Sequence, residues 1–214
     1  MSVAANLSSA RERIARTGRN PDDVTIVAVT KGFGPDVCRE ALDAGMSMLG
    51  ENRVQEAVTK METVRGAEWH LIGHLQTNKV RQAAGRFALI QSVDSVHLAE
   101  ALARTNPAQP VLVEVNVARE PQKGGVDPAQ AVHLIDQVAG LLDLRGLMAM
   151  GPAGKDPAPA FEELRGVWEA AQQRLGKALP ILSMGMSGDF EAAVVAGSTM
   201  VRLGQVLFGP RVSR

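Results

Sequence analysis

The chain has 214 residues, enough to bury a full core as one large domain or two small ones. Apolar residues make up 45% and charged residues 21%, and 23 basic side chains balance 23 acidic ones, so no overall field draws in nucleic acid or an anionic membrane. One cysteine, Cys38, excludes an internal disulfide; with no signal-peptide core in Met1 to Arg13 and no run of roughly 18 apolar residues, a cytoplasmic protein is expected.

Val3, Leu7, Ala10 and Ile14 fall on one helical face, and Gly18 with Asn20-Pro21 stops that helix. The chain then alternates. Apolar strands are expected near 24–30, 46–49, 69–72, 87–91, 110–116, 144–149, 180–183 and 199–203, each followed by a helical segment. Pro35 reads as a first helical residue with Gly45 as the stop. Asn52, Ser95, Asp127-Pro128 and Ser187 read as helix caps or starts, Gly85 and Gly197 as stops. Val54, Val58 and Met61, then Val132, Ile135, Ala139 and Leu142, then Phe161, Leu164, Trp168 and Leu175 keep a helical period. Cys38 fits ordinary packing within the helix after Pro35. The polar stretches Arg119 to Gly125 and Pro152 to Pro159 read as loops, not domain boundaries.

Eight strands alternating with helices indicate a parallel α/β protein, and their number favours a single-domain (β/α)8 TIM barrel over residues 1–214 with an extra N-terminal helix. The alternative, an open doubly wound sheet, has no GxGxxG fingerprint after the first strand to support a dinucleotide site. In a barrel the C-terminal strand ends share one rim, whatever their distance in sequence. That rim would gather Lys31, Asn52, His74, Met148, Ser187 and Arg202-Leu203-Gly204.

Lys31 closes the apolar run Ile26 to Thr30 and precedes the turn Gly32-Phe33-Gly34-Pro35. An ammonium is costly to bury, so desolvation at that place frees a nucleophilic amine, as a Schiff-base lysine requires; the bland alternative is a side chain that snorkels to water. The stretch Ser183-Met184-Gly185-Met186-Ser187-Gly188 leads into a helix start, and barrels commonly bind phosphate between their last two loops. Singly, Ser187 is a helix cap, Gly204 a tight turn, Asn52 a cap with Gln55 in a capping box, and His74 a structural histidine. His70, His97 and His133 read as structural or surface residues. No metal-ligand spacing, GxSxG elbow or Cys-His pair stands out.

Together IVAVTK (26–31), GENRVQE (50–56), WHLIGHLQTNK (69–79), IQSVDS (90–95), RGLMAMGP (145–152), LSMGMS (182–187) and STMVRLG with FGPR (198–211) resemble the pyridoxal phosphate homeostasis (YggS/PROSC) family. That family resembles the barrel domain of alanine racemase, binds pyridoxal 5'-phosphate (PLP) and has no established catalytic turnover. The resemblance implies that Lys31 forms the PLP aldimine, that Ser187 and Gly204 hold the phosphate, and that Arg202 faces the pyridine nitrogen. It implies that Asn52 and His74 line the pocket near the ring and that Met184 lies close to the cofactor. Gln205 stands where relatives usually have threonine, leaving a backbone N–H rather than a hydroxyl for phosphate, and Gly188 replaces a commonly larger residue. Because a guanidinium only donates, an Arg202 partner requires an unprotonated pyridine nitrogen and makes the ring a poorer electron sink.

The function so implied is a monomeric, cytoplasmic PLP carrier or regulator that can release PLP to PLP-dependent apoenzymes, with no nucleic-acid, membrane or metal partner. A racemase is the alternative, opposed by the absence of any tyrosine to serve as its base and of residues for a second domain. A Schiff-base aldolase for sugar phosphates is a third reading, with Glu114 as the nearest acid/base candidate.

Overall fold

The computed structural model describes residues 2–210. Helix α1 (Val3–Arg16) precedes the first strand and starts at Ser2, whose hydroxyl accepts from the Ala5 amide. The strands are β1 (Thr25–Val29), β2 (Met48–Glu51), β3 (Glu68–Leu71), β4 (Leu89–Val93), β5 (Pro110–Glu114), β6 (Asp143–Met148), β7 (Ile181–Ser183) and β8 (Met200–Leu203). They pair in parallel in chain order and close into a barrel, with Thr25 to Ala28 of β1 registered against Met200 to Leu203 of β8. Between them run α2 (Pro35–Asp43), α3 (Val54–Thr63), α4 (Val80–Ala83), α5 (Val96–Thr105), α6 (Pro128–Leu141), α7 (Ala158–Leu175) and α8 (Phe190–Val195), and α9 (Gln205–Phe208) follows β8. This is a (β/α)8 TIM barrel with an added N-terminal helix.

The strands are apolar on both faces because each face is covered. Outward residues such as Ala28, Leu49, Leu71, Ile90, Val113, Leu147, Leu182 and Val201 join the helices in one large core. Inward residues Val27, Leu89, Leu112, Met148 and Met200 form a separate cluster inside the barrel. Toward the C-terminal rim, inward positions of β4, β5, β7 and β8 turn polar: Gln91, Glu114, Ser183 and Arg202, all buried.

Several boundaries differ from the sequence reading. The second strand, expected over 46–49, is Met48–Glu51, because Gly45 (φ 86°) and Met46 complete the turn out of α2. The fourth, expected over 87–91, is Leu89–Val93: Gln91 and Ser92 are strand residues whose polar groups find partners inside the fold. Asn52 does not cap α3, whose N-cap is Arg53 with no side-chain bond, so the capping box with Gln55 is not formed. Ser187 does not cap α8 either. Asp189 holds that position, and its carboxylate accepts from the Met186 amide at 2.6 Å.

Candidate functional site

Lys31 is half-buried at the head of the turn that leaves β1, a turn closed by the Phe33 amide donating to the Thr30 carbonyl. The peptides on either side of it are held from α3. Lys60 Nζ donates to the Thr30 carbonyl at 2.9 Å, and the Gly32 N–H donates to Glu56 Oε1 at 2.7 Å. Lys60 also meets Glu51 at 2.6 Å and Glu56 at 2.7 Å, while the Thr30 hydroxyl donates to Glu51 at 2.7 Å. Burial opposes the charge on Lys60, but the two carboxylates outweigh it and hold the ammonium above its ordinary range. Burial pushes the Glu51 carboxyl up, against the pull of Lys60 and Thr30. Neither Lys60 nor Glu51 was singled out from sequence. The available signal was a lysine on the core-facing stripe of α3, in line with Val54 and Ala57.

Beside β1, the end of β8 meets the loop after β7. Ser187 Oγ accepts from the amides of Gly204 at 3.3 Å and Val206 at 3.2 Å. Gly204 is the N-cap of the four-residue α9 and Val206 its second residue, so both amides belong to the start of α9, while α8 is capped by Asp189. Gly185 (φ 96°) makes the loop possible, since a Cβ there would lie 2.6 Å from that of Ala193. A cavity of about 250 Å3 opens at this corner between Val29, Phe33, Gly204, Gln205, Gly209 and Pro210. Phe33 and Phe208 stand with ring centroids 5.6 Å apart, joining the Lys31 turn to α9.

Arg202, 4% exposed, ends a chain of side chains across the barrel. Its Nη1 donates to Ser183 Oγ at 2.7 Å and Nη2 to the Ala149 carbonyl at 2.8 Å. Ser183 donates in turn to Gln91 Oε1 at 2.7 Å, and Gln91 Nε2 lies 3.0 Å from His70 Nδ1. Burial lowers His70 to about 4, so the ring is neutral and Nδ1 accepts from the amide. Burial lowers Arg202 to about 10 against the pull of Glu114 and Asp189, leaving it charged at neutral pH. Glu114, beneath the Gly124-Gly125 turn, is raised to about 7 by burial, with Asp94 adding to the rise and Arg202 opposing it.

Asn52 and His74 lie together at the ends of β2 and β3, lining a cavity of about 310 Å3 with Arg53, Val54, Gln55, Gln76 and Lys79. The two loops touch so closely that a Cβ on Gly73 would lie 2.4 Å from the Asn52 carbonyl. His74 is exposed and its partner is a carboxylate, Asp94 Oδ2 at 3.2 Å. Met184 is wholly buried, and its side chain belongs to the core between barrel and helices. The rim thus presents an amine, a hydroxyl with converging amides, and a buried guanidinium on neighbouring strand ends, a set of donors suited to a phosphorylated aldehyde.

Residues 2–212 match the alanine racemase N-terminal domain family, which defines the class of barrel. Solved alanine racemases share the fold: that of Corynebacterium glutamicum superposes with a TM-score of 0.79 at 18% identity, covering 97% of this chain and 60% of that one. The relatives nearer in sequence are pyridoxal phosphate homeostasis proteins. That of Aquifex aeolicus is 40% identical, with 99% of each chain covered, and that of Escherichia coli K12 is 39% identical over 98% of this chain and 97% of its own. PipY of Synechococcus elongatus, solved with PLP bound, superposes with a TM-score of 0.85 at 35% identity, covering 97% of this chain and 100% of PipY. This chain belongs to the pyridoxal phosphate homeostasis protein family.

Proposed function

We propose that this protein binds PLP at the C-terminal rim of the barrel and serves PLP homeostasis as a cytoplasmic, monomeric carrier that yields PLP to apoenzymes. Lys31 is the anchoring amine: its nitrogen adds to the aldehyde carbon of PLP and water leaves, giving a Schiff base. The observation that carries the reading is the pair of amides, Gly204 and Val206, converging on Ser187 Oγ one strand away from Lys31. The Ser187 hydroxyl, oriented by these amides, donates to the phosphate, and the Gly204 and Gln205 backbone lies beside it. Arg202 faces the pyridine nitrogen as a donor, and Asn52 and His74 border the ring. Met184 contributes through packing alone.

A carrier is favoured over a racemase because the sequence contains no tyrosine to act as a base opposite the lysine, and because the near relatives are named for homeostasis. Glu114 lies in the barrel facing Arg202, which gives it the part of a counter-charge rather than the acid/base of an aldolase.

The test is the visible spectrum of wild type and Lys31→Ala with PLP, followed by borohydride reduction and peptide mapping. An imine band trapped on Lys31 and lost in the variant is expected. Trapping spread evenly over surface lysines, or no band, would overturn the reading. Failure of D- or L-alanine to change optical activity on incubation separates carrier from racemase.

A further inference from the structure

The cluster beneath Lys31 is a poor device for stability. Lys60 and Glu51 are nearly or wholly buried, and Glu51 Oε1 receives both the Thr30 hydroxyl and the Lys60 ammonium. Its other oxygen, Oε2, is buried without a hydrogen-bond partner among the described residues. Charges removed from water recover their desolvation cost only when every lone pair is met, and well-packed apolar residues often do as well or better in such places. The cluster does one thing that apolar residues could not: it grips the backbone on both sides of Lys31. Lys60 holds the Thr30 carbonyl, and Glu56, itself paired with Lys60, holds the Gly32 N–H.

We propose that Lys60, with Glu51 and Glu56, is a positioning clamp for Lys31. It fixes the two peptides that flank the lysine to helix α3, and so sets where the Lys31 amine stands relative to the Ser187–Gly204 corner. Three of the five bonds lead to Lys60, which makes it the hub. An ammonium held between two carboxylates is not a second imine-forming amine, so Lys60 acts only through Lys31. The consequence for PLP rests on the reading under Proposed function; the clamp itself does not.

The test uses Glu56→Ala, Glu56→Gln and Lys60→Met, with Gln109→Leu as control. Gln109 is buried near the opposite end of the barrel, bonding the Phe87 carbonyl and the Gly85 amide, and has no part in the site. Glu56 is partly exposed, so truncating it disturbs the fold less than changing buried Lys60, and this pair decides the matter if Lys60→Met does not fold. In the cofactor-free protein, hydrogen exchange at the Gly32 amide should speed up about tenfold or more in Glu56→Ala and Lys60→Met and return toward wild type in Glu56→Gln, which restores an acceptor. With PLP, affinity should fall about tenfold or more in the same two variants, and the pH midpoint of the imine spectrum should move. Gln109→Leu should lower Tm and leave both readouts alone. Wild-type Gly32 exchange in Glu56→Ala would overturn the clamp. Faster exchange with unchanged PLP affinity and spectral midpoint would overturn its positioning role, and absence of PLP binding by wild type would overturn the proposed function while the exchange result still judged the clamp.

Discussion

At the scale of single residues, the phosphate corner turns on one hydroxyl. Ser187 Oγ accepts from two amides, so its own proton is left to donate elsewhere, under the proposed function to the phosphate. Hydrogen bonds to charged groups contribute about 1.5–3 kcal/mol. Ser187→Ala should therefore weaken PLP binding by roughly 10- to 100-fold while leaving the affinity for pyridoxal, which lacks the phosphate, nearly unchanged. Titrating both ligands into both proteins checks this, and an equal loss for the two ligands would place Ser187 outside the phosphate site. In the sequence, Ser187 taken alone reads as a helix cap; only its place beside Gly204 at the last two strand ends singles it out. The packing of Met184 follows from alternation along a strand that ends at Ser183, which sends its side chain into the helix-side core.

Among the elements, α1 does the work of a missing barrel helix. α9, which follows β8, has only four residues and cannot cover the seam where β8 meets β1. α1 packs against α9, α8 and α2 and closes that gap, with Ala10 and Ile14 wholly buried. Asn6 donates to the Leu207 carbonyl at 2.8 Å, and the Arg13 guanidinium sits 4.4 Å from the centre of the Phe190 ring while pairing with Glu191. Ile14→Ala should cost about 2–5 kcal/mol in urea denaturation without changing PLP affinity in the protein that remains folded. A loss below about 1 kcal/mol would show that α1 is an accessory to the barrel rather than part of its wall. The helix itself was legible from Val3, Leu7, Ala10 and Ile14, as was the order of all the strands, because uninterrupted apolar runs have no other place in an α/β barrel. What sequence could not set were the edges of strands carrying buried polar residues. Ser92 and Glu51 look like loop residues until the partners that satisfy them, the Gly73 carbonyl, Thr30 and Lys60, are brought together from other parts of the chain.

For the whole molecule, the barrel interior holds two titrating groups that oppose each other. Burial raises Glu114 from 4.5 to about 7 and lowers His70 from 6.5 to about 4. Between pH 4.5 and 7 the folded protein holds a proton on Glu114 that the unfolded chain has released, so this group makes stability fall as pH rises. Between pH 4 and 6.5 the unfolded chain protonates the imidazole while folded His70 stays neutral, so this group makes stability rise with pH. Each is worth about 3 kcal/mol across its window, and over pH 4.5 to 6.5 the two slopes cancel. The cancellation can be taken apart with variants that keep a polar side chain but do not titrate. Relative to wild type, Glu114→Gln should gain about 3 kcal/mol of stability on going from pH 4.5 to 7, because the downward slope of Glu114 is removed. His70→Asn should lose about the same on going from pH 4 to 6.5, since Glu114 is then unopposed. Urea midpoints of the three proteins across that range measure both differences with all other titrating groups common to each. Parallel curves would mean that water reaches the interior layer and that neither group is desolvated in solution. Divergent curves would mean that near neutral pH Glu114 is only partly ionised, so that its share of the counter-charge on Arg202, beside that of Asp189, grows as pH rises through about 7.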